Sequence, residues 1–156
     1  MGDHRIIAVV FVFLAMLLLP VSFMFASDED DILGIWDTPE KDCKIEIFRC
    51  QDKYCGKIVW LKEAYYPADD KGGMGGRPVV DRENPDPDLR RRPLVGLQLM
   101  KDLTYARKGT WEGGAIYNPN NGKTYRCKMT LSSPGRLEVR GFIGIPLLGG
   151  TSVWTR

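Results

Sequence analysis

Histidine is almost absent from this chain: the only one, His4, lies at the extreme N-terminus, ahead of an uncharged apolar run. Beyond it no Ser-His-Asp or Cys-His nucleophilic scheme, no histidine-ligated zinc and no imidazole proton shuttle can be assembled. No two acids sit in an apolar setting that would push their pKa values apart, so a carboxylate pair for acid–base work is not indicated either. Excess charge of one sign is lacking too, with 22 basic against 20 acidic side chains. This balance leaves no nucleic-acid footprint, and the sole basic run, Arg90-Arg91-Arg92, reads as a solvated loop face. The four cysteines include no CxxC pair, which excludes a thioredoxin-type centre. Helical periodicity is missing over any long stretch.

One apolar run is present, from Ile6 to Leu19, behind Met-Gly-Asp-His-Arg and before Pro20 and a small-residue site ending Phe25-Ala26. It reads as a secretory signal peptide over residues 1–26, cleaved after Ala26. A membrane anchor fits less well, because Pro20 and Ser22 interrupt the run and the acidic Ser27-Asp28-Glu29-Asp30-Asp31 follows directly. Ser27, not a cysteine, directly follows the site, so no lipid anchor is expected. Residues 27–156 then form a single exported domain of about 130 residues, enough for a genuine core.

The clearest local signal is Gly113 to Leu131. Asn118-Pro119-Asn120-Asn121-Gly122 is dense in turn chemistry, and after it Tyr125, Cys127, Met129 and Leu131 alternate with polar residues, giving a strand with one buried face. A four-residue turn sets Ile116 opposite Tyr125 and Ala115 opposite Arg126, and turns Glu112 inward beside Met129. Glu112 would then pair with an arginine or orient the polar end of a ligand; a five-residue turn flips the first strand and leaves Glu112 solvated outside.

Further strands are expected at Ile32–Trp36, Cys43–Cys50, Gly56–Leu61, Val95–Leu103, Thr110–Tyr117, Lys123–Leu131, Arg136–Ile143 and Gly150–Arg156. Cys50 and Cys55 flank a tight reverse connection and can approach within disulfide range. By elimination Cys43 pairs with Cys127, or both remain free buried thiols.

Residues 63–93 break into Gly, Pro and charge. Lys71 to Arg77, with its glycines, is expected to be mobile, as a lid over one barrel mouth. Asp86 is a good N-cap and Pro87 suits the first helical position, so one short helical turn is expected there. Asn84, Asp86 and Asp88 are spaced like calcium-loop ligands, but the glycine and terminal glutamate of that loop are missing, so capping and ion pairing are preferred and no metal site is assigned.

Eight strands joined mostly by short connections give an antiparallel meander. An all-β, up-and-down eight-stranded barrel is expected, since closure removes both exposed edges; an open sandwich is the alternative.

Gly34-Ile35-Trp36 with Arg156 is similar to the Gly-x-Trp and arginine pair of lipocalins and related calycins. Several motifs resemble more specifically a family of exported bacterial proteins catalogued as a domain of unknown function. They are Cys55-Gly56-Lys57-Ile58-Val59-Trp60-Leu61, Asn84-Pro85-Asp86, Arg92-Pro93-Leu94, Gly113-Gly114-x-Ile116-Tyr117-Asn118-Pro119 with Gly122-Lys123-Thr124-Tyr125, and Trp154-Thr155-Arg156. The resemblance implies a lipocalin-like barrel in the periplasm or outside the cell, with no established activity.

The resulting expectation is a non-catalytic barrel holding a small apolar or amphipathic molecule, with no cofactor. Trp36, Trp60, Glu112, Ile116, Tyr125, Met129 and Arg140 are its candidate ligand-binding residues. The alternative is a barrel packed solid that serves as a structural or interaction module for an envelope protein. A nucleic-acid partner is not expected, and a membrane is met only through the signal peptide during export.

Overall fold

The computed structural model describes residues 28–156; the expected signal peptide and its cleavage site lie outside the described residues. Eight strands follow in order: β1 (Gly34–Asp37), β2 (Cys43–Cys50), β3 (Lys53–Leu61), β4 (Gln98–Arg107), β5 (Thr110–Asn118), β6 (Lys123–Ser133), β7 (Arg136–Phe142) and β8 (Gly149–Thr155). They close into an antiparallel barrel in sequence order. The meander and its closure are therefore as expected, and the sandwich is excluded.

The hairpin turn has the expected register, with Ile116 opposite Tyr125 and Ala115 opposite Arg126. Further along, the register shifts: Gly114 faces Cys127, but Trp111 faces Met129. One extra residue in β5 is accommodated at Gly113, whose φ of 83° is cheap only for glycine. This bulge turns Trp111 into the core and Glu112 outward. The expected inward Glu112 is thus corrected: its side chain is 51% exposed on the outer face, with Lys128 Nζ 3.7 Å away.

Cys50 and Cys55 form a disulfide, with Cα atoms 5.9 Å apart. The turn is tighter than expected, since Cys50 already faces Lys53 and Cys55 faces Phe48; the bond runs diagonally across the hairpin. Cys43 and Cys127 are free, which corrects the second pairing. They stand on β2 and β6, four places apart in an eight-strand ring and so on opposite walls.

One end of the barrel is closed by the segment before β1. Ile32 is fully buried, Trp36 Nε1 donates to its carbonyl at 2.8 Å, and Trp111 Nε1 donates to the Glu29 carbonyl at 3.1 Å. The acidic run after the expected cleavage site is therefore part of the fold: Arg49 bonds Asp30 and Glu29. The C-terminus completes the plug. Arg156 lies 4.4 Å over the Trp36 ring and donates to the carbonyls of Leu33 (2.8 Å) and Asp31 (2.9 Å). Above this plug, the side chains of Tyr54, Leu103, Met129 and Leu137 are buried in the interior.

The long connection spans residues 62–97, and Pro87–Leu89 forms the expected helical turn with Asp86 as its cap. Its anchor is Asp81, which has no exposed surface. Asp81 accepts from Tyr117 Oη (2.6 Å), Asn84 Nδ2 (2.7 Å), Arg92 Nε (2.9 Å) and Arg92 Nη2 (2.8 Å). Nearby, Gly122 must lack a Cβ, which would collide with the Glu83 carbonyl. Burial alone would raise the Asp81 pKa, but the bonds from Tyr117, Asn84 and Arg92 outweigh it and hold the carboxyl below its usual value. The glycine-rich segment is stitched down as well: Met74 N donates to Asp70, which Arg82 grips with both terminal nitrogens.

Two outcomes follow from these anchors. Arg156→Ala removes two charge-assisted hydrogen bonds and a cation–π contact, and urea unfolding should show a loss of about 2 kcal/mol; a change under about 0.5 kcal/mol would mean the contacts are ornamental. Asp81→Asn should destabilise by about 2–3 kcal/mol at neutral pH by leaving Arg92 without its buried counter-charge. Because the folded-state pKa of Asp81 is depressed, its contribution is complete above the unfolded carboxylate value of about 3.9 and disappears as pH falls below it. The stability gap between wild type and Asp81→Asn should therefore be flat from about pH 5 to 8 and close only in more acidic urea titrations; a gap that closes near neutrality would contradict the network.

Candidate functional site

The four connections β1–β2, β3–β4, β5–β6 and β7–β8 all lie at the end opposite the plug. Between them the barrel is open and holds a cavity of about 660 Å³. Period-two alternation builds its walls: Ile45 from β2, Ile58 from β3, Leu99 from β4, Ile116 from β5 and Val139 from β7 point inward. Leu94 adds a wall from the long connection, held by the Leu94 N to Val79 O bond at 2.9 Å. Trp154 lines it deeper on β8, its Nε1 donating to Ser152 Oγ at 3.0 Å. None of residues 71–77 lines the cavity, so the expected lid does not cover this mouth.

The cavity exists because two inward positions carry no side chain. Gly141 on β7 and Gly150 on β8 face each other across the ladder. A Cβ at Gly141 would touch Tyr125 and Ile116 at ordinary contact distance, and one at Gly150 would meet nothing within 4 Å. The sequence carried this signal: Gly141 is in phase with Leu137 and Val139, and Gly150 with Ser152 and Trp154.

The rim is polar, with Thr38, Glu40, Asp42, Asn118 and Asn120 around the mouth. Thr38 Oγ1 donates to Asp42 at 2.9 Å. Among the described residues no Lys or Arg side chain lines the cavity. Cys43 does, and burial, reinforced by the Asp42 charge, pushes its thiol up to about 11. The thiol of Cys127, in the packed interior, is pushed up to about 12 by burial. Both stay protonated at neutral pH and are poor nucleophiles. Among the described residues no three His, Cys, Asp or Glu side chains gather as a metal-ligand group.

Of the residues expected to bind a ligand, Ile116 and Tyr125 line the cavity and the other five do not. Trp36 is sealed under Arg156 in the plug, and Met129 is fully buried in the packed half. Trp60 points outward, 41% exposed, with Lys44 Nζ 5.9 Å above its ring; the run from Gly56 to Leu61 is too uniformly apolar for alternation to assign. Glu112 is turned out by the Gly113 bulge. Arg140 is also outside, because Val139 takes the inward phase. It donates to the carbonyls of Pro146 (2.6 Å) and Leu147 (3.3 Å) and to Thr151 Oγ1 (2.6 Å), bracing the β7–β8 connection.

A second concavity of about 250 Å³ lies beside the Asp81 network, bordered by Arg92, Gln98, Lys101, Tyr117 and Thr124. The Tyr117 hydroxyl in its wall is driven above the usual phenol value by burial and by the bond to Asp81.

This architecture has a counterpart among solved structures. Protein HP1028 from the human pathogen Helicobacter pylori, which belongs to the lipocalin family, superposes with a TM-score of 0.65 at 27% identity, covering 80% of this chain and 82% of that one. No curated protein sequence matches. A family model, described as uncharacterized protein conserved in bacteria (DUF2147), matches residues 34–156, from the first residue of β1 to the arginine of the plug. The chain belongs to this bacterial family, and its fold is a lipocalin-like barrel closed at one end and open at the other.

Proposed function

We propose that this chain is an exported, non-catalytic barrel, in the periplasm or outside the cell, that holds one small apolar or amphipathic molecule in its open half. The observation that carries this reading is the one-ended cavity of about 660 Å³, with aliphatic walls and a polar rim. Its volume falls in the range of small-molecule sites, and eight strands are the size of barrel that can hold one such ligand. The lipocalin-family neighbour supports the same reading. Two thiols held protonated by burial, and a domain without histidine, support the absence of catalysis. The Cys50–Cys55 disulfide is compatible with an oxidising compartment.

The lining also narrows the ligand. Glu40 and Asp42 stand at the mouth and, among the described residues, no cation lines the cavity beside them, so the polar end of the ligand is neutral or cationic. A fatty alcohol or amine should compete for the site better than the carboxylate of the same length.

Gly150→Phe tests the site directly. Open space around the missing Cβ lets the ring enter the cavity without disturbing the ladder. A neutral fluorescent naphthylamine probe should bind the wild type with one-to-one saturation, and Gly150→Phe should weaken it at least about tenfold with an unchanged melting temperature. Equal binding by both proteins would place the probe elsewhere and overturn the assignment.

A further inference from the structure

The β7–β8 connection is the most apolar exposed part of the molecule. Ile143, Ile145, Leu147 and Leu148 are 67%, 56%, 81% and 74% exposed, side by side on a short loop around Pro146–Leu148. Four large aliphatic side chains held in water within six residues are unusual on a folded domain and mark a contact surface. The loop is also tied to the barrel wall by side-chain hydrogen bonds. Arg140 donates to two of its carbonyls and to Thr151, while Arg126, on the neighbouring β6, reaches the Gly144 carbonyl at 3.4 Å. Neither guanidinium has a carboxylate within ion-pair distance among the described residues, so both leave positive charge at the base of an apolar tip.

We propose that this loop docks the barrel onto a lipid bilayer, its four aliphatic side chains entering the acyl boundary while Arg126 and Arg140 meet the phosphate level. An apolar tip over a cationic base has the polarity order of the membrane interface, whereas a protein partner would not require that order. The loop begins and ends beside the cavity: Gly141, Gly150 and Thr151 line the mouth. Docking therefore brings the open end to the bilayer surface, where an apolar ligand would be met. Glu40 and Asp42 at the same mouth oppose anionic lipid, so the aliphatic insertion carries the contact and lipid charge modulates it. The docking surface stands on the loop alone and does not depend on a ligand being bound.

The test uses the chain without residues 1–26, since all eight strands and the core described above lie within residues 28–156. Co-sedimentation with phosphatidylcholine vesicles, alone and with a phosphatidylglycerol fraction of about one third, measures partitioning. The wild type should bind both, more tightly with phosphatidylglycerol at low salt. Leu147→Asp combined with Leu148→Asp should lose at least about tenfold in partitioning while keeping near-UV circular dichroism, since both side chains are exposed. Gly150→Phe, which blocks the cavity, should partition like the wild type, which separates this inference from the ligand assignment. Equal sedimentation of wild type and double variant, or no sedimentation of either, would overturn the proposal. So would a wild type that ignores vesicles and forms a dimer that the double variant abolishes, which would assign the tip to self-association.

Discussion

The guanidinium of Arg156 sits between the Trp36 ring and the carbonyls of Asp31 and Leu33, and the molecule depends on this contact for its asymmetry. The seam that closes the barrel is its weakest ladder, since β1 and β8 share a single residue pair, Asp37 opposite Thr155. Arg156 supplies across that seam what the backbone does not. It ties the last residue of the chain to the segment preceding the first strand, and the same segment takes the indole N–H groups of Trp36 and Trp111. With one end stopped in this way, the cavity among the described residues opens at the other.

A filled barrel and a hollow one stand as rivals when composition alone is weighed. The structure contains both, one above the other. Large side chains crowd the plugged half, where Trp36, Tyr54, Trp111 and Met129 are almost wholly buried. At the open half the ladder places Gly141 against Gly150, and two missing side chains on adjacent strands leave space that Ile116, Val139 and Trp154 do not fill. The long β3–β4 connection sets the width of the mouth through Leu94. It is held in place by Asp81, on which Asn84, Arg92 and Tyr117 converge from three separate stretches of chain. Those three residues belong to three different motifs, Asn-Pro-Asp, Arg-Pro-Leu and the Tyr117 hairpin. Their meeting gives the motifs a common structural purpose.

Alternation and turn chemistry made most of this fold legible. Inward Tyr125, Cys127 and Met129, the β5–β6 turn, the Asp86 cap and the Cys50–Cys55 bond all depend on neighbours close in sequence or on a hairpin partner. What could not be read depends on distance. The face of Glu112 depends on a one-residue slip at Gly113, which exchanges the two faces; the turn residues alone do not place that slip. Nothing near Asp81 in the sequence marks it for burial, since its partner Tyr117 stands on a hairpin 36 residues away. Residue type alone makes Trp36 and Arg140 candidate ligand contacts, yet one belongs to the plug and the other braces a loop on the outer face.

The central claim is that the interior is accessible at one end only. Two-dimensional amide and methyl NMR during titration with a neutral naphthylamine reports it most directly. The account predicts saturable shifts at Cys43, Ile116, Val139 and Tyr125, and no shifts at Trp36, Tyr54 and Leu103. Shifts spread evenly through the plugged half, or confined to the outer face, would contradict it.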